Sequence, residues 1–153
     1  MNFPVFDLHC DTALAMIPNG HRPVHELRKN SVHIDLERAS KLDGYCQCFA
    51  CFTTPQMQNW YQKSPVDIFE REIAAVMSQV EMNSDLISLA YSASDVRDNL
   101  DKGMMSAVLT MEGTAGIGFD PALLEDLYRI GFRITSLGWN EKNALTGSHV
   151  TGG

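Results

Sequence analysis

The sequence is short of the features that mark several large protein classes. No apolar run approaches the roughly 20 residues needed to span a bilayer, and the N-terminus lacks a basic segment followed by a long apolar one. A protein that neither spans a membrane nor is exported is expected. Basic residues are outnumbered, 12 Lys and Arg against 19 Asp and Glu, for a net charge of −7, so no overall positive field gathers phosphate backbones. Nucleic acid is therefore not an expected partner. Cysteine is sparse too: Cys10, Cys46, Cys48 and Cys51 lack the density and spacing of a secreted disulfide framework, and a reducing cytoplasm is the expected home. Low-complexity tracts and clean internal repeats are also missing.

What remains is a chain of 153 residues with 44% hydrophobic composition, enough to bury one core. Glycine, proline and capping residues punctuate it at short intervals, and the apolar period between them switches between strand-like and helix-like. "PVFDLH" reads as a short apolar strand and "DLERASKLDG" as a short helix closed by Gly44, before a second strand "YCQCFACF". Ser64-Pro65 supplies an N-cap and a first-turn proline, with Phe69, Ile73, Val76, Met77 and Val80 as the apolar stripe of the longest helix. Next come a strand "LISLAY", a capped helix "SASDVRDNLDKG", a buried strand "MSAVLTM", a helix "PALLEDLYRIG" opened by Asp120-Pro121, and a fifth strand "FRITSL".

Strands alternating with helices predict an α/β fold with a parallel sheet. About five strands cannot close an eight-stranded barrel of roughly 250 residues. The expectation is an open sheet or the front part of a longer barrel.

"VFDLHCDT" ends an apolar strand with His9 and Asp11, which share one face if strand geometry continues to Asp11. Imidazole nitrogen and carboxylate oxygen both suit Zn²⁺, and parallel sheets carry their chemistry beyond the carboxyl ends of strands. The bland alternative makes Asp11 a helix N-cap and His9 a core histidine. In "AVLTMEG", Glu112 closes another apolar strand before a glycine; a carboxylate there can bridge two metals, as in hydrolases that generate hydroxide and polarise a carbonyl.

The cysteine cluster reads instead as small buried side chains, because Cys46 and Cys48 share a face that Cys51 does not. His21, His25, His33 and His149 have no partners at ligand spacing and are expected at the surface. Trp139 falls on the rim after the fifth strand, as a packing residue or a substrate contact.

With "FDLHCDT", "DLERASKLDGYCQCFA", "LTMEG" and "LYRIGFRITSLGWNEKNALTGSHVTGG" in that order, the chain resembles the membrane or renal dipeptidases, peptidase family M19. The resemblance implies that residues 1–153 are a partial domain, the N-terminal part of a (β/α)8 TIM-like barrel of the metal-dependent hydrolase type. It implies two zinc ions, with His9 and Asp11 on the first and Glu112 bridging both, and hydrolysis of short peptides, chiefly dipeptides, by a bridging hydroxide. The family's second-zinc histidines and its later aspartate and arginine have no counterpart here, and His149 sits in neither histidine motif. Where mammalian members carry a substrate-contacting histidine, this sequence has Trp139, so their substrate preference is not carried over. On this reading the 153-residue chain alone is inactive, and a homo-oligomeric partner or a complementary C-terminal segment completes it. The competing reading is a non-catalytic fragment or diverged binding protein that keeps half of the barrel.

Overall fold

A computed structural model describes residues 3–153. The elements run β1 (Val5–Cys10), α1 (Thr12–Ala15), α2 (Leu36–Ala39), β2 (Tyr45–Phe52), α3 (Gln58–Tyr61), α4 (Pro65–Met82), β3 (Ile87–Leu89), α5 (Ala93–Asp101), β4 (Met105–Glu112), α6 (Leu124–Ile130) and β5 (Phe132–Ser136). All strand pairs are parallel. The α/β character expected from the alternation is what the chain adopts.

The strand order is not the sequential one that a simple barrel count suggests. β2 runs along one edge of β4 from Ser106 to Glu112, while two strands share the other edge. β3 pairs with Met105–Ala107 and β5 with Leu109–Glu112. The apolar stretch "LISLAY" therefore yields only three strand residues. After Ala90, whose N–H bonds the Ala107 carbonyl, the chain turns away into α5, which Ser92 caps by accepting from the Asp95 N–H. That departure frees the upper edge of β4 for β5. Four strands, β1, β2, β4 and β5, thus reach the carboxyl rim.

β2 and β4 are buried along nearly their whole length, as expected of central strands covered on both faces. One face carries Phe49, Cys51, Leu109 and Met111, which pack with Phe69, Val76 and Val80 of α4. The other carries Cys46, Cys48 and Val108, and strand alternation places Glu112 on this second face. Helix α4 begins as its sequence predicts: Ser64 accepts from the Asp67 N–H at 3.1 Å, and Pro65 occupies the first turn. Gly116 lets the loop after β4 lie on this helix, since a Cβ there would stand 2.4 Å from Phe69 Cγ.

Two expectations about burial need correction. Met77 is 37% exposed, because the core-facing stripe of α4 runs through Ile68, Phe69, Glu72, Val76 and Val80 instead. In β1, Phe6 and Leu8 are 51% and 67% exposed, because β1 is an edge strand that pairs with β2 alone. No helix among the described residues is long and apolar enough to cross a membrane.

Candidate metal centre

β1 does not deliver His9 and Asp11 by plain alternation. Its register with β2 is irregular between Asp7 and Cys10, a bulge of the kind that re-aims side chains at sheet edges. Asp7 holds the bulge: its Oδ1 accepts the His9 N–H at 3.1 Å, and its Oδ2 accepts the Tyr45 hydroxyl at 3.3 Å. The strand ends at Cys10, and Asp11 has φ −90° and ψ 20° at the start of α1. The shared-face premise is thus wrong in detail, yet the two side chains meet.

His9 Nε2 lies 3.2 Å from Asp11 Oδ1 and 3.5 Å from Glu112 Oε2. One ligand atom from each of the three lies within 4.8 Å of the others. The N-cap alternative for Asp11 fails on the same geometry, since its side chain makes no capping hydrogen bond. Glu112 arrives from the centre of the sheet, where it is the register partner of Phe52. Gly113, at φ +74°, turns the chain immediately afterwards, a conformation that suits glycine. Its N–H bonds Ser136 Oγ at 3.0 Å and ties the end of β4 to that of β5.

Glu112 is the least exposed of the three, 28% against 50% for His9 and 65% for Asp11. Burial pushes its carboxyl above the usual range; His9 opposes the shift and Asp11 adds to it. One imidazole and two carboxylates are a donor set for a divalent cation of borderline hardness. Four ligands about 2.0–2.2 Å from a tetrahedral zinc stand roughly 3.3–3.6 Å apart, close to the 3.2 and 3.5 Å separations from His9. The residues fit the metal.

All four cysteines are free and buried, and none joins this cluster. Desolvation pushes the Cys10 and Cys48 thiols up to about 11 and Cys46 to about 12, so they are inert packing groups. His21 and His149 are exposed and outside the cluster. Trp139 stands on the rim, 45% exposed, with its ring edge-on to Phe52 at a centroid distance of 4.6 Å.

Sequence reasoning missed three features. The first is Asp7, whose support of the bulge no spacing rule reveals. The second is a cleft of about 630 Å³ beside the cluster, lined by His9, Asp11, Phe52 and Tyr61 and by Arg22, His25 and His33 of the long connection before β2. The third is Glu72, fully buried on α4. Its Oε2 accepts the Phe52 N–H at 2.6 Å, while its Oε1 has no partner among the described residues.

Burial holds the Glu72 carboxyl well above the ordinary range; the Phe52 N–H opposes this and the charge of Asp11 adds to it. With its folded pKa above its unfolded value, the group's contribution to stability is complete below about pH 4.3 and is lost as pH rises through the folded value. Glu72→Gln keeps an acceptor for Phe52 without the ionisation. Urea midpoints of variant and parent should therefore diverge in the variant's favour between about pH 5 and pH 8; a constant difference would show that Glu72 does not titrate in this way.

The family model of the membrane dipeptidases (peptidase family M19) matches residues 1–152. Among curated proteins, the "Uncharacterized protein in PQQ-III 3'region" of Acinetobacter calcoaceticus is 25% identical over 156 residues, 91% of this chain and 50% of the relative. A metallo peptidase from Rhodobacter sphaeroides, liganded with a phosphinate mimic of the dipeptide L-Ala-D-Ala, superposes with a TM-score of 0.67 at 18% identity, over 92% of this chain and 46% of its own. The probable dipeptidase PvdM of Pseudomonas aeruginosa superposes with a TM-score of 0.71 at 22% identity, over 92% and 36%. These two likenesses show the fold. The chain spans about half the length of the curated relative it matches.

Proposed function

The chain belongs to the membrane dipeptidase family, peptidase family M19, and on that premise we propose that the protein is a zinc-dependent dipeptidase with His9, Asp11 and Glu112 as metal ligands. The observation that carries the proposal is their convergence, from the ends of β1 and β4, within 4.8 Å on the carboxyl rim. Asp11 and Glu112 bring the negative charge that holds cations, and His9 a directional nitrogen donor. Glu112 has a second oxygen, Oε1, with which to bridge to a further ion.

Two zinc ions, when bound, supply Lewis acidity toward a peptide carbonyl and water activated at neutral pH. The chain's own residues orient and enclose. The Asp7 carboxylate fixes the His9 backbone, and the Gly113 turn aims the end of β4. Phe52 and Trp139 give the rim an apolar wall that holds a short peptide and limits water. Remaining second-zinc ligands come from outside the cluster, as no further His, Cys, Asp or Glu joins it among the described residues.

The substrates are short peptides, chiefly dipeptides; the L-Ala-D-Ala mimic in the Rhodobacter sphaeroides structure favours a D-residue at the C-terminal position. Exposed Phe6 and Leu8 at one sheet edge and Ile134 at the other are faces that further barrel strands or a second subunit would cover. Four free, buried thiols suit a reducing cytoplasm.

The test is dipeptide hydrolysis by the full-length protein before and after chelation. Activity should vanish with the chelator and return with zinc, and residues 1–153 expressed alone should stay inactive with zinc added. Full-length protein that binds peptides and hydrolyses none would favour the non-catalytic reading.

A further inference from the structure

β2 outlasts its neighbour on one side. Its pairing with β1 ends at Cys10 and Phe49, where β1 leaves the sheet for α1, while β2 continues to Phe52 and stays paired with β4 as far as Glu112. The last stretch of β2 therefore has a strand along one edge only. There a helix side chain takes over: the Phe52 N–H donates to Glu72 Oε2 at 2.6 Å. The next anchor along the chain is weaker, since the Thr54 N–H meets the Met57 Sδ at 3.4 Å, and a thioether is a poor acceptor.

Glu72 is a costly way to make one hydrogen bond. It is fully buried, on a face of α4 that otherwise presents Ile68, Phe69, Val76 and Val80 to the core, and a carboxyl in such surroundings costs more than an apolar side chain of similar size. Its other oxygen, Oε1, has no hydrogen-bond partner among the described residues. The bond to Phe52 is thus what the core position secures. Phe52 in turn is tied to the site in three ways. It is the register partner of Glu112, its ring meets Trp139 edge-on at 4.6 Å, and it lines the cleft beside the cluster with Leu14, Ile17 and Tyr61.

We propose that Glu72 is a positioning residue of the peptide cleft: from α4 it replaces the strand that β1 withdraws, and so fixes Phe52 as the apolar wall against which a substrate side chain packs. The inference rests on the dipeptidase reading of the adjacent cluster. The arrangement serves two ends at once. β1 is released to bulge and turn, which brings His9 and Asp11 together, and β2 keeps its register with Glu112 without it. A wall discriminates between side chains only while it stays in place, so a Phe52 free to shift loses selectivity for bulk before the chemistry is lost.

The experiment compares the full-length, zinc-loaded protein with its Glu72→Gln and Glu72→Met variants on L-Leu-D-Leu and Gly-Gly. Glutamine keeps an acceptor for the Phe52 N–H; methionine fills the same space without one. Glu72→Met should raise KM for L-Leu-D-Leu roughly 10-fold, and should change KM for Gly-Gly and both kcat values by less than about threefold, as expected when packing against one side chain is lost. Glu72→Gln should keep the parental values. In a Phe52→Ala background Glu72→Met should add no further rise, because the two substitutions act on one contact. Parental KM values for Glu72→Met, an equal loss for both peptides, the same loss in Glu72→Gln, or a full additional loss in the Phe52→Ala background would each overturn the proposal. If Glu72→Met does not fold, Glu72→Asp, whose carboxyl stops one methylene short of Phe52, carries the same comparison with the same expected result. Equilibrium binding of the two peptides to metal-free protein, read by calorimetry, separates this inference from the one beneath it. If neither peptide is hydrolysed, the dipeptidase reading fails; weaker binding of L-Leu-D-Leu alone by Glu72→Met still supports the positioning role, while unchanged binding, or no binding by the parent, rejects it.

Discussion

His9→Ala in the full-length protein is expected to abolish dipeptide hydrolysis and to lower zinc content together. His9 is the geometric centre of the cluster, since its Nε2 is the atom close to both Asp11 and Glu112. Removing it deletes a donor and leaves two carboxylates facing each other without the imidazole between them. Even outer residues that only orient a ligand are worth about 10- to 100-fold in affinity or activity, so the loss of a ligand itself should exceed about 100-fold. Metal analysis and a turnover assay on the purified variant read the two effects. Zinc should also lose much of its power to raise the melting temperature, because a ligand that binds only the folded state stabilises it in proportion to its affinity. Full occupancy with an undiminished rate would remove His9 from the site.

Glu112→Gln should be almost as damaging, for an electrostatic reason. Glutamine preserves size and one acceptor oxygen but removes the charge that holds two cations a few ångströms apart, and ligand carboxylates must be ionised to serve. The variant should bind both ions more weakly, by about 10-fold or more. Calorimetric titration of the metal-free protein with zinc measures the affinities. Normal two-metal occupancy and normal turnover would contradict a bridging role.

The parts of this molecule legible in its sequence are those governed by local rules. Ser64 and Pro65 announce the start of α4 because capping needs only neighbouring residues. The largely apolar sequences of β2 and β4 suit central strands because both faces are covered. His9, Asp11 and Glu112 stood out because strand ends on one rim are where parallel sheets gather polar groups.

What stayed hidden depends on tertiary placement. "LISLAY" and "FRITSL" look alike as apolar strands, and nothing local tells that they divide one edge of β4 between them. Glu72 was passed over because a carboxylate on a helix reads as solvated. Its place three and four residues from Phe69, Ile68 and Val76 was the available signal that it faces inward. The bulge at His9 and the cleft beside the cluster come from irregular backbone, where periodicity carries no information. Sequence spacing thus picked out the side chains that cluster for a reason that proved only partly right: the bulge and the start of α1 bring His9 and Asp11 together, not an extended strand.

The most direct measurement of the central claim is anomalous diffraction at the zinc absorption edge from crystals of the full-length, zinc-loaded protein. The account predicts a metal peak about 2.0–2.2 Å from His9 Nε2 and from a carboxylate oxygen of both Asp11 and Glu112, with a second peak sharing the Glu112 carboxylate. Zinc bound elsewhere, with these three side chains free of metal, would contradict it.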